Sequence, residues 1–233
     1  MPRSVFSRYD LRTTDLAGAR AFYEQLFGPG FWSEDVRLTP LPEQAIARGA
    51  PAHWLGYIGV EDVEAIAGQI VAAGGMRRGP TLVDDDGIRR AALSDPFGAG
   101  VGVASGLGDV FADVAAHLHH SNDPEAASVY YANLFGWSIA EVDATPADMG
   151  RHLGFSYGGD GAPVGRFTDA ARLPQVHHQW QYFFPTGDID TAVALVKAGG
   201  GIALPIVNLL DGTRVVACDD PQGAAFGLVQ RRG

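Results

Sequence analysis

Three of the chain's seven histidines, His117, His119 and His120, fall within four residues. Side chains alternate faces along a strand, so His117 and His119 would share one side. Together they could chelate a metal, with His152, His177 or His178 as a third donor. The same spacing also suits two half-buried histidines satisfied by hydrogen bonds, which leaves His120 on the opposite face as a hydrogen-bonding or acid/base group. Arg8, Asp10 and Arg12 repeat the two-residue spacing. Two guanidinium groups flanking a carboxylate could recognise a ligand carboxylate or phosphate, or close into an internal salt-bridged triad.

Other strings fail on context. Gly154-Phe155-Ser156-Tyr157-Gly158 spells the nucleophile elbow, which needs a helix directly after it. Here Gly158-Gly159-Asp160-Gly161-Ala162-Pro163 follows, a hairpin turn in composition. Gly100-Val101-Gly102 opens no helix, so it is not a nucleotide fingerprint. Asp84-Asp85-Asp86-Gly87 lacks the glutamate of a calcium loop and reads as an acidic turn. Cys218 has no neighbouring base and is expected to be a buried structural thiol. The aromatic residues carry more information. Trp54 and Trp180 sit at matching places, with Tyr57, Tyr157, Tyr182, Phe183 and Phe184 on nearby predicted strands. Such a face can hold a flat or apolar small molecule.

The 233 residues include 31 glycines, with 46% apolar and only 19% charged residues. Disordered chains are more charged and less apolar, and the glycines have no collagen period. A net charge of −10 speaks against a nucleic-acid partner. One cysteine rules out a disulfide framework and a four-thiolate zinc site. The opening residues MPRSVFSRYDL hold no apolar run fit for a signal peptide, and no stretch approaches the ~18 apolar residues of a membrane span. A cytoplasmic location with no membrane partner is therefore expected.

The elements that must position these residues are legible as a repeat. TTDLAGARAFYEQLFG (13–28) returns as SNDPEAASVYYANLFG (121–136), 108 residues later. HWLGYIGVEDVEAI (53–66) returns as QWQYFFPTGDIDTA (179–192), and LSDPFGAGVGV (93–103) as CDDPQGAAFGL (218–228), at offsets of 126 and 125. Two tandem domains are predicted, 1–106 and 107–233, joined near Ser105–Asp109. The first is shorter by about 18 residues in its middle, roughly two strands and a turn. Helices are expected after the caps Asp15, Asp62, Asp123 and Asp188, ending at Gly28, Gly74-Gly75, Gly136 and Gly199-Gly200. In the first of them, Leu16, Ala19, Phe22, Tyr23 and Leu26 form the apolar stripe. Asp95-Pro96-Phe97-Gly98 and Asp220-Pro221-Gln222-Gly223 are predicted hairpin turns. The pattern of strand, helix and several strands, four times over, is an α+β fold.

These blocks resemble the vicinal oxygen chelate superfamily, which holds glyoxalase I, bleomycin-resistance proteins and extradiol dioxygenases. The resemblance rests on the Asp-capped helices with Phe22-Tyr23 and Tyr130-Tyr131 before Leu-Phe-Gly, on Val-x-Asp-Val and Ala-Gly-Gly around the second helix, and on the Asp-Pro-x-Gly hairpins. It covers the chain apart from 29–50 and 140–176. It implies paired βαβββ units curling into half-open barrels. In metal-using members a His or Gln on each unit's first strand and a Glu on its last strand chelate the ion. The matching first-strand positions here are Arg8, Leu55, Ala116 and Gln181, and the Glu positions are Gly102 and Gly227. Glu43 is expected outside the barrel. The inherited chelate is thus expected to be absent, with no metal and no cofactor.

The family's strand parity turns His117 and His119 toward the helix and His120 into the second cavity, and it sends Arg8, Asp10 and Arg12 into the first. His120, Gln181, Tyr157, Phe183, Arg8 and Arg12 are the expected ligand-binding residues. The expected function is binding of a small organic molecule by a monomer. The alternatives are a lyase or dioxygenase with a metal relocated onto the run from His117 to His120, and a regulatory or scaffold protein with filled cavities.

Overall fold

The computed structural model describes residues 4–85, 87–107, 114–142, 150–159 and 161–231. Asp86, Asp109 and Asp160, which belong to two of the predicted turns and to the predicted domain junction, lie outside the described residues. The first sequence copy supplies strands β1 (Phe6–Thr13), β2 (Val36–Pro40), β3 (His53–Gly59), β4 (Met76–Arg77), β5 (Leu82–Val83), β6 (Arg89–Ser94) and β7 (Gly100–Ala104). Its helices are α1 (Leu16–Phe27), α2 (Glu43–Ala47) and α3 (Val63–Ala72). The second copy supplies β8 (Ala116–His120), β9 (Ser138–Glu141), β10 (His152–Ser156), β11 (Gly165–Thr168), β12 (Gln179–Pro185), β13 (Ile202–Ala203), β14 (Val207–Asn208), β15 (Arg214–Asp219) and β16 (Ala225–Gln230). Its helices are α4 (Pro124–Phe135) and α5 (Ile189–Ala198).

The four repeated helices begin where their caps require. The side chains of Asp15, Asp62, Asp123 and Asp188 each accept from a backbone N–H of the following turn, worth ~1 kcal/mol apiece. In α1 the buried stripe narrows to Ala19, Phe22 and Tyr23. Leu16, at the first position of the helix, is exposed. The shortened middle of the first copy holds one strand, β2, and the short helix α2. The second copy has β9, β10 and β11 at the same place.

The first copy's strands form one sheet in the order β2, β1, β3, β7, β6, β4, with β5 also on β6. The second copy's strands form another in the order β13, β15, β16, β12, β8, β11, β10, β9, with β14 also on β15. β1–β2, β3–β7, β8–β11 and β12–β16 are parallel pairs, whereas the hairpins β6–β7 and β15–β16 are antiparallel. Among the described residues, neither sheet closes into a barrel. Both hairpins turn on a glycine with positive φ, Gly98 at 94° and Gly223 at 84°, where a side chain would strain the backbone.

Sheet membership follows the sequence copies, but compactness does not. One compact unit contains residues 4–7, 56–107 and 116–180, and the other contains 8–55, 114–115 and 181–231. Each unit therefore joins half of one copy to half of the other. No helix among the described residues is long and apolar enough to cross a membrane.

Candidate functional site

The chelate positions come first, because the fold's best-known chemistry would depend on them. Gly102 stands opposite Tyr57 in the β3–β7 ladder, and Gly227 stands opposite Phe183 in the β12–β16 ladder. A Cβ on Gly102 would lie 2.3 Å from Tyr57 Cδ1, and one on Gly227 would lie 2.3 Å from Phe183 Cδ1 and Cε1. In both units an aromatic ring lies across a glycine and fills the volume a carboxylate side chain would need. A glycine in a strand interior often marks such a close approach. The first-strand positions are committed elsewhere. Arg8 donates from Nε to Asp10 Oδ1 at 2.9 Å and from Nη2 to Oδ2 at 3.4 Å. Gln181 Nε2 donates to Phe226 O at 2.8 Å, and Leu55 and Ala116 have no donor atoms to offer. These residues do not fit a divalent ion. Among the described residues, no group of three or more His, Cys, Asp or Glu side chains could hold a metal ion.

The histidine run divides as the strand alternation requires. His117 and His119 lie on the side facing α4. His117 stacks on Phe6 at a ring separation of 4.9 Å, and its Nδ1 donates to Val164 O at 2.9 Å. Burial pushes its pKa down to about 4, so the ring is neutral at pH 7. His119 Nε2 binds Asp95 Oδ2 at 2.7 Å in a fully buried pair. Tyr131 OH donates to the same Oδ2 at 2.9 Å and accepts from Trp180 Nε1 at 2.8 Å. Asp95 Oδ1 takes the backbone N–H groups of Phe97 and Ala99, at 2.9 and 2.8 Å. The other unit repeats the constellation. Trp54 Nε1 donates to Tyr23 OH at 2.9 Å, and Tyr23 OH donates to Asp220 Oδ2 at 3.3 Å. Asp220 Oδ1 holds the N–H groups of Gln222 and Ala224. Burial raises the pKa of both tyrosines well above the usual phenol value, with the neighbouring aspartate adding to the effect. These hydroxyls stay protonated and hold the chain together: each ties a helix from one sequence copy to a hairpin from the other.

The opposite face of β8–β11–β10–β9 has a different character. Register places Leu118, Arg166, Gly154 and Ala140 in one row, His120, Thr168 and His152 in a second, and Ser156 and Ser138 in a third. His120 Nδ1 lies 2.9 Å from Thr168 Oγ1, which also accepts from Ala170 N at 3.3 Å. Continuous with these rows is a half-open depression of about 310 Å³ lined by Ser138, Ala140, Gly154, Phe155, Ser156 and Pro163, among others. Its volume sits at the lower end of the roughly 300–1,000 Å³ range of small-molecule sites.

The six expected site residues are therefore dispersed. His120 belongs to the polar rows. Tyr157 is buried on the other side, packed edge-on against Trp137 and His117, and its pKa is raised by burial. Phe183 covers Gly227, Gln181 holds the β16 backbone, Arg8 is locked by Asp10, and Arg12 is half-buried on the same strand. The Gly-x-Ser-x-Gly string ends β10 and leads into a turn with no helix, where Ser156 Oγ points to Gly159 O at 3.4 Å. Cys218 is buried on β15, with its thiol pushed up to about 12 by burial. Thr168 and Arg166 were not anticipated. They lie in the stretch with no counterpart in the repeat. Tyr23 and Tyr131 were also missed as partners of Asp220 and Asp95, although all four sit at equivalent places in the repeated blocks.

The chain has the vicinal oxygen chelate fold, as its repeated blocks imply. It aligns over 99% of its length with the Mn(II)-bound glyoxalase of Novosphingobium aromaticivorans, covering 83% of that chain with a TM-score of 0.62 and 12% identity. Its sequence is 28% identical to CFP32 of Mycobacterium tuberculosis, provisionally named a glyoxylase, over 95% of this chain and 92% of that protein. It is 30% identical to the anthracycline biosynthesis protein DauV of a Streptomyces species, over 48% of this chain and 44% of that protein. No family model matches the chain.

Proposed function

We propose that this is a metal-independent small-molecule-binding protein built on a glyoxalase-like fold, with its ligand on the polar face of β8–β11–β10–β9. The observation that carries the reading is the pair of rings over Gly102 and Gly227. The ion of a metal-using relative would need a carboxylate at each place, and the space is taken by Tyr57 and Phe183. The face with His120, Thr168, His152 and Arg166 adjoins the depression, and it comes from the copy that keeps all three middle strands. The half-length likeness to an anthracycline biosynthesis protein suits a flat, multi-ring ligand. Because both clamps join the two sequence copies within one chain, the proposed working form is a monomer.

The rival reading moves a metal onto the histidine run. Against it, His117 Nδ1 and His119 Nε2 already serve Val164 O and Asp95, and the two rings face α4, away from the depression. The test is a thermal-shift screen of aromatic acids, quinones and polycyclic phenols, run with and without excess EDTA. The proposal expects at least one compound to raise the Tm equally in both conditions. A screen in which every stabilising compound loses its effect in EDTA, or in which none stabilises, contradicts it.

A further inference from the structure

The tip of the β6–β7 hairpin sits at a corner where buried polar atoms go unsatisfied. His119 Nδ1, Ser121 Oγ, Tyr130 OH and His178 Nδ1 are buried without a hydrogen-bond partner among the described residues. Half-buried Phe97 lies edge-on to His119 and to Tyr130, at ring separations of 6.0 and 5.8 Å. His178 packs against the next residue, so that a Cβ on Gly98 would lie 3.4 Å from His178 Cβ. The repeat supplies a control within the same chain. The counterparts of His119, Tyr130 and His178 are Leu11, Phe22 and Ala52, which have no polar side-chain atom to strand. The counterpart of Ser121 is Thr13, whose hydroxyl is bonded to the Gln222 carboxamide. Gln222 also ties its own hairpin tip to the α1 cap, with Oε1 3.4 Å from Asp15 N and Nε2 3.3 Å from Asp15 O. Phe97 stands at the place of Gln222 and has no side-chain atom able to form such bonds.

A buried polar group without a partner forfeits its hydration and regains it when water reaches it. Seating Phe97 leaves these atoms dry, whereas seating Gln222 completes a set of bonds. The seated and lifted states are therefore closer in free energy at the β6–β7 tip than at the β15–β16 tip. We propose that residues 96–98 form a plug that lifts in the native protein and admits water to the corner between β8 and α4, while the β15–β16 tip stays seated. Asp95 remains in place, since His119 and Tyr131 hold its Oδ2. The bonds that break run from Phe97 N–H to Asp95 Oδ1 and from Gly98 N–H to Asp95 O, 2.9 and 3.1 Å long. Openings of a few residues at this scale belong to the low-stability end of native-state motion. The plug is thus a gate to the buried Asp95–His119 pair.

Amide hydrogen exchange on the full chain, read residue by residue by NMR, tests this on twin amides. Gln222 N–H binds Asp220 Oδ1 at 2.8 Å and Gly223 N–H binds Asp220 O at 2.9 Å, so bond geometry alone predicts comparable protection in the two hairpins. The proposal expects protection factors at Phe97 and Gly98 at least tenfold lower than at Gln222 and Gly223. Phe97→Gln, which gives the tip a carboxamide for Ser121, should close most of that gap. Phe97→Met, of similar length but without the amide, should leave it open. Equal or higher protection at Phe97 and Gly98 overturns the proposal, as does a gap that responds alike to both substitutions. The wild-type comparison needs no variant, and it decides the matter alone where a variant fails to fold.

Discussion

The two compact units hold the same two devices and complete them with different residues. Each has an aromatic ring over a glycine, Tyr57 on Gly102 in one and Phe183 on Gly227 in the other. Each has a Trp–Tyr–Asp clamp, Trp180–Tyr131–Asp95 and Trp54–Tyr23–Asp220. Around the clamps the chemistry is exchanged. The first adds the polar His119 to Asp95 and sets the apolar Phe97 edge-on against it. The second has Leu11 where His119 stands, and Gln222 in place of Phe97. Gln222 Oε1 hydrogen-bonds Thr13 Oγ1, and its Nε2 donates to Asp15 O. The counterpart of Thr13 is Ser121, whose buried hydroxyl finds no hydrogen-bond partner among the described residues. What recurs is architecture. What differs around it records how each copy rebalanced a buried polar cluster.

Breaking the clamps should give the largest effects. Asp95→Ala would strand His119 Nε2, Tyr131 OH and two backbone N–H groups, and is expected to cost about 4 kcal/mol. Asp220→Ala strands one side-chain donor fewer and should cost about 3 kcal/mol. Urea denaturation of both variants measures the difference, and equal losses would contradict a special role for His119. Next come the rings. Gly102→Ala and Gly227→Ala each force a Cβ into an aromatic face and are expected to cost about 2 kcal/mol by overpacking. Combining Gly227→Ala with Phe183→Leu should recover part of that loss in a double-mutant cycle.

Acid should separate the units further. His117, with a folded pKa near 4 against 6.5 in the unfolded chain, leaves the unfolded state holding more protons between those values. Stability from this group is therefore full above pH 6.5 and falls as pH drops toward 4, by at most about 3 kcal/mol. Asp220 runs the other way. Burial raises its pKa, so the folded state binds the extra proton and mild acid relieves its unit. Hydrogen exchange from pH 7 to 4.5 should show α4 amides losing protection sooner than α1 amides, and the reverse order would break the comparison. The smallest expected effect is at Ser121. Ser121→Ala should be neutral within about 0.5 kcal/mol, whereas Thr13→Ala, which loses a bonded hydroxyl, should cost about 1 kcal/mol.

Helices, caps and hairpins were legible because periodic apolar residues, Asp caps and glycine stops are local signals, and the repeat multiplied each one. The partners were not. A repeat tells which residues are equivalent, Tyr23 with Tyr131 or Asp95 with Asp220, but not that each tyrosine reaches the aspartate of the other copy. The glycines at 102 and 227 were visible as missing carboxylates. Only the strand register revealed Tyr57 and Phe183 lying across them. Strand alternation separated His120 from His117 and His119, and only the family's parity said which face was which. Thr168 and Arg166, which give that face its character, lie in the segment with no counterpart elsewhere in the chain, where neither repeat nor family pattern offers a guide.

The central claim is that the ring-over-glycine pairs have replaced the chelate. Equilibrium dialysis of the full chain against Mn(II), Zn(II) and Fe(II), followed by elemental analysis, tests it most directly. The account predicts well under one equivalent of any metal and no change in Tm. One tightly held equivalent per chain, with a matching rise in Tm, would contradict it.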